Sequence, residues 1–304
     1  MNGGPPQQHA PPSAPQDQAR HIRVIGQGEL TVVLLTGLGV PALWWHGPGE
    51  WTEDVLQLIG RESWGNRPFL APSLAQDFRV VTYDRAGMED RPPPEGVRRM
   101  DDFIQELDGV LEQAQVKGPL ALMGHSLGGL IALEYARRTA PRVAGLVLLD
   151  SSHPDQLPRF AAGAGAGQRH ADAEEQRQMA EFHPERPDLE HLLSQGEGAV
   201  RPGTLGDFPL LVLTRGIRPC PSGGTPAPPM TAKYWQYREQ TWQRLQRELT
   251  ALSNAGQQRC FPDSGHYLHL EEPARVLEDV RAFLRQLQDA SPGAEARSRQ
   301  QPSS

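Results

Sequence analysis

The sequence predicts an α/β protein: a mostly parallel central sheet with helices on both faces. Three observations point there. Short runs of Val and Leu recur at strand length without polar alternation, as in strands buried on both faces. Segments with apolar residues at helical spacing lie between them. Strands and helices that alternate in this way are joined as parallel strands with helical crossovers.

In chain order, residues 21–29 (HIRVIGQGE) alternate and carry glycines, as an edge strand or hairpin would. Residues 31–36 (TVVLLT) are the first buried run. Residues 78–83 (FRVVTY), 120–123 (LALM), 143–149 (VAGLVLL) and 209–213 (PLLVL) follow, with 259–261 as a weaker sixth. Residues 99–115 place Met100, Phe103, Ile104, Leu107, Val110 and Leu111 on one helical face. A second helix follows LALM directly over 127–139, with Pro141 marking its end. Helices are also expected over 233–253 and 272–287. Two stretches break the alternation. Residues 44–70 form a tryptophan-rich insertion, with Trp44, Trp45, Trp51 and Trp64 expected mainly in core packing and pocket lining as the alternative. Residues 152–207 are long and polar, with a short helix expected near 172–182, and stand where a lid would sit.

Composition narrows the class. The 304 residues suit one large domain or two small ones, and the reading here is one domain over 21–288 with the 152–207 insertion inside it. The proline-rich residues 1–20 and the polar residues 289–304 cannot bury a core and are expected to be disordered tails. No apolar signal region lies near Met1 and no run reaches membrane-span length, so a cytoplasmic location is expected. Cys220 and Cys260 have no metal-like spacing and are expected as reduced thiols. A net charge of −7 with scattered arginines argues against nucleic acid or an anionic membrane as partner.

The sharpest motif is Gly124-His125-Ser126-Leu127-Gly128, a G-x-S-x-G between a strand and a helix. Its glycines permit a turn tight enough to lift the Ser126 hydroxyl above the sheet edge. The second is PDSGHYLHLEEP, 262–273, between the last strand and the last helix. A histidine there can reach over the sheet as general base to Ser126. His266 is the first choice, with His269 and His153 as rivals and His125 expected beneath the turn.

With these stretches in place the chain resembles the α/β-hydrolase family, in its single-domain serine esterase-like branch, over roughly 22–287. VIGQGELTVVLLTGLG looks like the family's first core strand and oxyanion loop, VVTYDRAGM like its Y-D-R-x-G turn, and GHSLGG like its nucleophile elbow. The resemblance implies that Leu38 and Leu127 supply the oxyanion-hole N–H groups. It also implies a Ser-His-acid triad, no cofactor or metal, and a small-molecule ester-like substrate. Thr36 replaces a frequent histidine, and MEDRPPPEG replaces the usual continuation after the Y-D-R-x-G turn.

A larger departure concerns the acid. Many members carry it in the loop after the strand that here is PLLVL, yet 214–231 (TRGIRPCPSGGTPAPPMT) has no Asp or Glu. Asp207 lies before that strand, at the opposite edge. Glu239 comes late, inside a helix. Asp263 is cramped against His266, and in the resembling motif Asp84 belongs to its own turn. Asp150, at the carboxyl end of VAGLVLLD, is the best-placed candidate, with turn-capping as the simpler role. Its order, Ser126, Asp150, His266, fits the family. The function this implies is carboxylic ester hydrolysis. The alternatives are a non-catalytic ligand-binding protein, a cofactor-free haloperoxidase or perhydrolase, and a carbon–carbon bond hydrolase.

Overall fold

The structure is a computed structural model, and it describes residues 21–47, 67–139, 142–196, 199–220 and 231–290. The expected tails, Trp51 and Trp64 lie outside these residues, except that the last helix runs through Asp289.

The chain opens with strands β1 (Ile22–Ile25) and β2 (Thr31–Leu35) and a 3₁₀ turn at Ala42–Trp45. Helix α1 (Leu70–Leu74), β3 (Arg79–Tyr83), α2 (Met100–Gln113), β4 (Leu120–His125), α3 (Leu127–Arg138) and β5 (Val143–Leu149) follow. The 152–207 stretch carries α4 (Gln156–Ala161), α5 (Ala166–Phe182) and α6 (Leu189–Leu193). The chain then forms β6 (Leu210–Arg215), α7 (Ala232–Ala251), β7 (Gly256–Phe261), α8 (Leu268–Glu271) and α9 (Pro273–Asp289).

The strands make a seven-stranded sheet in the order β1-β3-β2-β4-β5-β6-β7. The edge strand β1 is antiparallel to β3 and every other pairing is parallel. The pleat explains why the inner runs are apolar throughout. Val33, Leu35, Leu122, Leu146, Leu148 and Val212 face a core shared with α2 and α3. Val32, Leu34, Met123, Val147, Leu149 and Leu213 face a second core shared with α1 and α9. With both faces covered, each inner strand excludes water from successive side chains.

Trp44 and Trp45 are buried, as core packing requires. Two elements differ in extent from their sequence expectation. Strand β7 begins at Gly256, since QQRC pairs by backbone with β6 despite its polarity. Helix α5 begins at Ala166 rather than near 172 and buries none of its side chains. Its alanines, glutamines and glutamates favour helix by intrinsic propensity, which a search for an apolar face does not detect.

Candidate active site

Parallel strands deliver their carboxyl ends to one edge of the sheet, where ligand sites on such sheets form. Ser126, between β4 and α3, sits there with φ 53° and ψ −121°, a conformation sparsely populated for any L-residue. Its carbonyl accepts from Ser152 N at 2.9 Å and Gly129 N at 3.0 Å, and its N–H donates to Leu149 O at 3.2 Å. These bonds hold the strained turn. The glycines are needed for space: a Cβ on Gly124 would come within 2.3 Å of Gly128 O, and one on Gly128 within 2.4 Å of the Leu35 and Thr36 carbonyls.

Leu127 is the first residue of α3, so no carbonyl within the helix can accept its N–H. Leu38 lies in the loop after β2. That loop abuts the turn, because a Cβ on Gly37 would stand 3.3 Å from Ser126 Cβ.

His266 Nδ1 lies 2.7 Å from Asp150 Oδ2. Asp150 follows β5, has φ 42°, and is fully buried. Its Oδ1 accepts from Trp242 Nε1 at 2.7 Å and from Arg215 N at 3.3 Å, and Arg215 Nε lies 3.2 Å from Oδ2. Arg215 belongs to the carboxylate-free stretch: where many family members carry an acid, this chain places a cation beside Asp150. Arg215 is itself paired with Glu239.

The other candidates are engaged elsewhere. His125 donates from Nε2 to the His266 carbonyl at 2.9 Å and lies beneath the turn, where burial, followed by the neighbouring His266 and His269, holds its pKa well below the usual range. His269 is buried with its ring 4.7 Å from that of His125, and burial pushes its pKa down to about 3. His153 accepts from Asp155 N at 3.0 Å, and burial lowers it also to about 3. Asp84 accepts from Ala42 N, Asp207 from Asn254, and Glu239 from Arg215.

Ser126 and His266 line one cavity of about 720 Å³, together with Phe160, Trp235 and Trp242. Phe160 brings α4, from the 152–207 stretch, to this cavity.

A buried ion pair beneath the loop after β2 has no signal in the sequence. Arg85 donates to Thr36 O at 2.8 Å and Gly37 O at 2.6 Å, and its Nη2 reaches Glu185 Oε1 at 3.0 Å. Glu185, from the insertion, accepts from Gly39 N at 2.7 Å. Arg85 and Glu185 are 1% and 0% exposed. Burial raises the Glu185 pKa, but the charge and hydrogen bonds of Arg85 and the Gly39 N–H outweigh it and hold the carboxyl below its ordinary range. Thr36, Gly37 and Gly39, on either side of Leu38 in the loop after β2, are thus held by one ion pair from two distant segments. The resembling motif marked Arg85 as part of a turn; its partner stands in PERP, 100 residues away, with no local pattern to single it out.

Among the described residues no helix is long and apolar enough to cross a membrane. The model of the alpha/beta hydrolase family matches residues 32–279. The uncharacterized protein YqjL of Bacillus subtilis is 29% identical over 212 residues, 70% of this chain and 74% of that protein. A 2-hydroxymuconate semialdehyde hydrolase of a Pseudomonas species is 32% identical over 143 residues, 46% of this chain, which span only 47% of that relative. A thermophilic esterase from Thermogutta terrifontis superimposes with a TM-score of 0.54 at 21% identity, covering 88% of this chain and 93% of that one. A putative non-heme bromoperoxidase from Mycobacterium tuberculosis gives a TM-score of 0.56 at 17% identity, covering 88% and 95%. At such identities the two structures speak for the fold alone.

Proposed function

The chain belongs to the alpha/beta hydrolase family, and from that premise we propose that it is a serine hydrolase acting on carboxylic esters. The observation that carries the reading is the buried Asp150 carboxylate 2.7 Å from His266 Nδ1, at the sheet edge where the strained Ser126 also sits.

In this reading Asp150 fixes the His266 tautomer with the proton on Nδ1, leaving Nε2 free to accept. Ser126 Oγ attacks the ester carbonyl and gives its proton to His266 Nε2. The oxyanion of the tetrahedral intermediate accepts from the Leu38 and Leu127 N–H groups. Collapse expels the alcohol, which takes the proton from His266 and leaves an acyl-Ser126. Water then attacks that acyl group with His266 as base, releasing the acid and restoring Ser126. Trp242 and Arg215 hydrogen-bond the buried Asp150 carboxylate and hold it against His266, where it stabilises the imidazolium.

The test has two parts. A fluorophosphonate probe labels Ser126 in the wild type, and Ser126→Ala abolishes the labelling. A p-nitrophenyl ester series of increasing chain length gives turnover that Ser126→Ala also abolishes. Wild-type labelling of Ser126→Ala ends the reading. The relatives named as hydrolases of 2-hydroxymuconate semialdehyde and 2-hydroxy-6-oxo-2,4-heptadienoate make such dienoates a second substrate set for the same assay. Turnover of these with none of the esters moves the reaction to carbon–carbon bond hydrolysis on the same serine.

A further inference from the structure

The cavity over Ser126 is lined by three arginines, Arg215, Arg218 and Arg238, against two glutamates, Glu239 and Glu271. Their engagements differ. Arg215 is committed to Asp150 and Glu239. Glu239 is committed in turn to Arg215 and to Arg218 N at 2.8 Å, and Glu271 accepts from Gly265 N at 2.7 Å. Arg218 and Arg238 have no carboxylate partner among the described residues. The Arg218 side chain donates to the Asp263 carbonyl at 3.4 Å. Arg238 lies over the Phe160 ring at 4.5 Å and near the Tyr234 ring at 5.9 Å.

Arg238 sits over the Phe160 ring and the exposed Arg218 is anchored by its backbone, so neither guanidinium is spent on a carboxylate of the described residues. Stacking on an aromatic face occupies the plane of the guanidinium and leaves its edge free, and that edge matches the two oxygens of a carboxylate. Arg218 is pinned through its backbone, since its carbonyl accepts from Trp235 Nε1 at 2.8 Å while its N–H is held by Glu239. The rest of the wall includes Phe160, Trp235 and Trp242, surface suited to a short hydrocarbon chain. With the Asp150 carboxylate paired to Arg215, the three arginines meet three carboxylates, so a second negative charge on the ligand would find no surplus cation, which favours a monoanion over a doubly charged phosphate monoester.

We propose that the substrate is an ester bearing one free carboxylate, held by Arg218 and Arg238 while its ester carbonyl lies at Ser126. The inference deepens the esterase reading and rests on it for the reaction, though not for the binding. It makes the cavity selective for half-esters of dicarboxylic acids over neutral esters of equal length.

Two experiments separate the two levels. The first needs no turnover: Trp235 and Trp242 line the cavity, so tryptophan fluorescence is followed during titration with glutaramate, its neutral counterpart glutaramide, and phenyl phosphate. Glutaramate alone is expected to give a saturable change that is weakened by salt and lost in Arg218→Gln/Arg238→Gln. The second compares p-nitrophenyl hydrogen glutarate with p-nitrophenyl pentanoate. The wild type is expected to favour the anionic ester in kcat/KM by about tenfold or more, the scale of one or two charge-assisted hydrogen bonds. The double variant is expected to bring that ratio close to one, while Arg177→Gln, on the outer helix α5, leaves it unchanged. A wild-type ratio at or below one, or a ratio unchanged in the double variant, overturns the subsite. Tighter binding of phenyl phosphate overturns the choice of a monocarboxylate. If neither ester turns over, the esterase reading fails, and the glutaramate titration alone decides the subsite: no saturable change that depends on the two arginines refutes it.

Discussion

Replacing Glu185 with Gln tests whether a buried ion pair sets the loop beside Ser126. The glutamine keeps the shape and can still accept from Gly39 N, but it carries no charge. Arg85, 1% exposed, then keeps its bonds to Thr36 O and Gly37 O and loses the charge of its buried partner Glu185. Breaking a buried pair from one side costs about 3–5 kcal/mol, because a charge is left uncompensated in a dry site. At roughly 2–4 °C per kcal/mol for a chain of this size, Tm falls by on the order of 10 °C. Activity falls as well: complete loss of one oxyanion donor costs about 10²–10³ in kcat, and a loop displaced at Gly39 is expected to lose part of that through Leu38 N, with KM little changed. The assay is thermal unfolding by circular dichroism together with ester kinetics. Acid provides an internal check. The Glu185 pKa is depressed in the folded state, so its contribution is full above the ordinary glutamate value of about 4.3 and is lost as pH falls through the lower folded value. The gap between wild type and Glu185→Gln therefore narrows in acid and is widest at neutral pH. The double change Arg85→Met/Glu185→Met removes the stranded charge but leaves the Thr36, Gly37 and Gly39 backbone groups without their partners, so it is expected to recover part of the lost stability and none of the kcat. A Tm drop under about 2 °C with unchanged kcat in Glu185→Gln refutes the reasoning.

Other substitutions bear on the site. Asp150→Asn is expected to keep the fold and lower kcat by up to about 10⁴ near neutral pH through the wrong His266 tautomer, whereas Asp207→Asn, which alters a contact with Asn254 outside the site, leaves kcat within about twofold; equal effects in the ester assay would count against Asp150. His266→Ala is expected to abolish burst-phase acylation of Ser126, and His269→Ala, 2% exposed beside Trp45, to act mainly on Tm; the reverse pattern would exchange their roles. Trp242→Phe removes a donor from a buried carboxylate and is expected to cost about 1–3 kcal/mol, read by denaturant unfolding, and to lower kcat while Ser126 remains labelled by the probe. Gly128→Ala drives a methyl to 2.4 Å from two carbonyl oxygens and is expected to yield no properly folded enzyme, checked by its circular dichroism spectrum.

The inner strands, helices α2, α3, α7 and α9 and the Ser126 turn were legible in the sequence because each rests on local physics, whereas the short α1 was not. A strand covered on both faces must be apolar at successive positions, as TVVLLT and VAGLVLL are, and a turn at φ 53° needs small neighbours, which GHSLGG displays. The place of Asp150 was partly legible, since the residue ending a parallel strand is delivered to the sheet edge whatever follows it. Only the tertiary structure decided what meets there. Trp242 reaches Asp150 from 92 residues away, Glu185 reaches Arg85 from 100, and His266 reaches Asp150 from 116. Such pairs leave no periodic trace, because a single polar side chain has the same local pattern whether it faces water or a partner. Which arginines of the cavity are neutralised and which keep free N–H groups is likewise decided by the packing of α4, α7 and the loop after β6 against the sheet edge, and by no property of those segments taken alone.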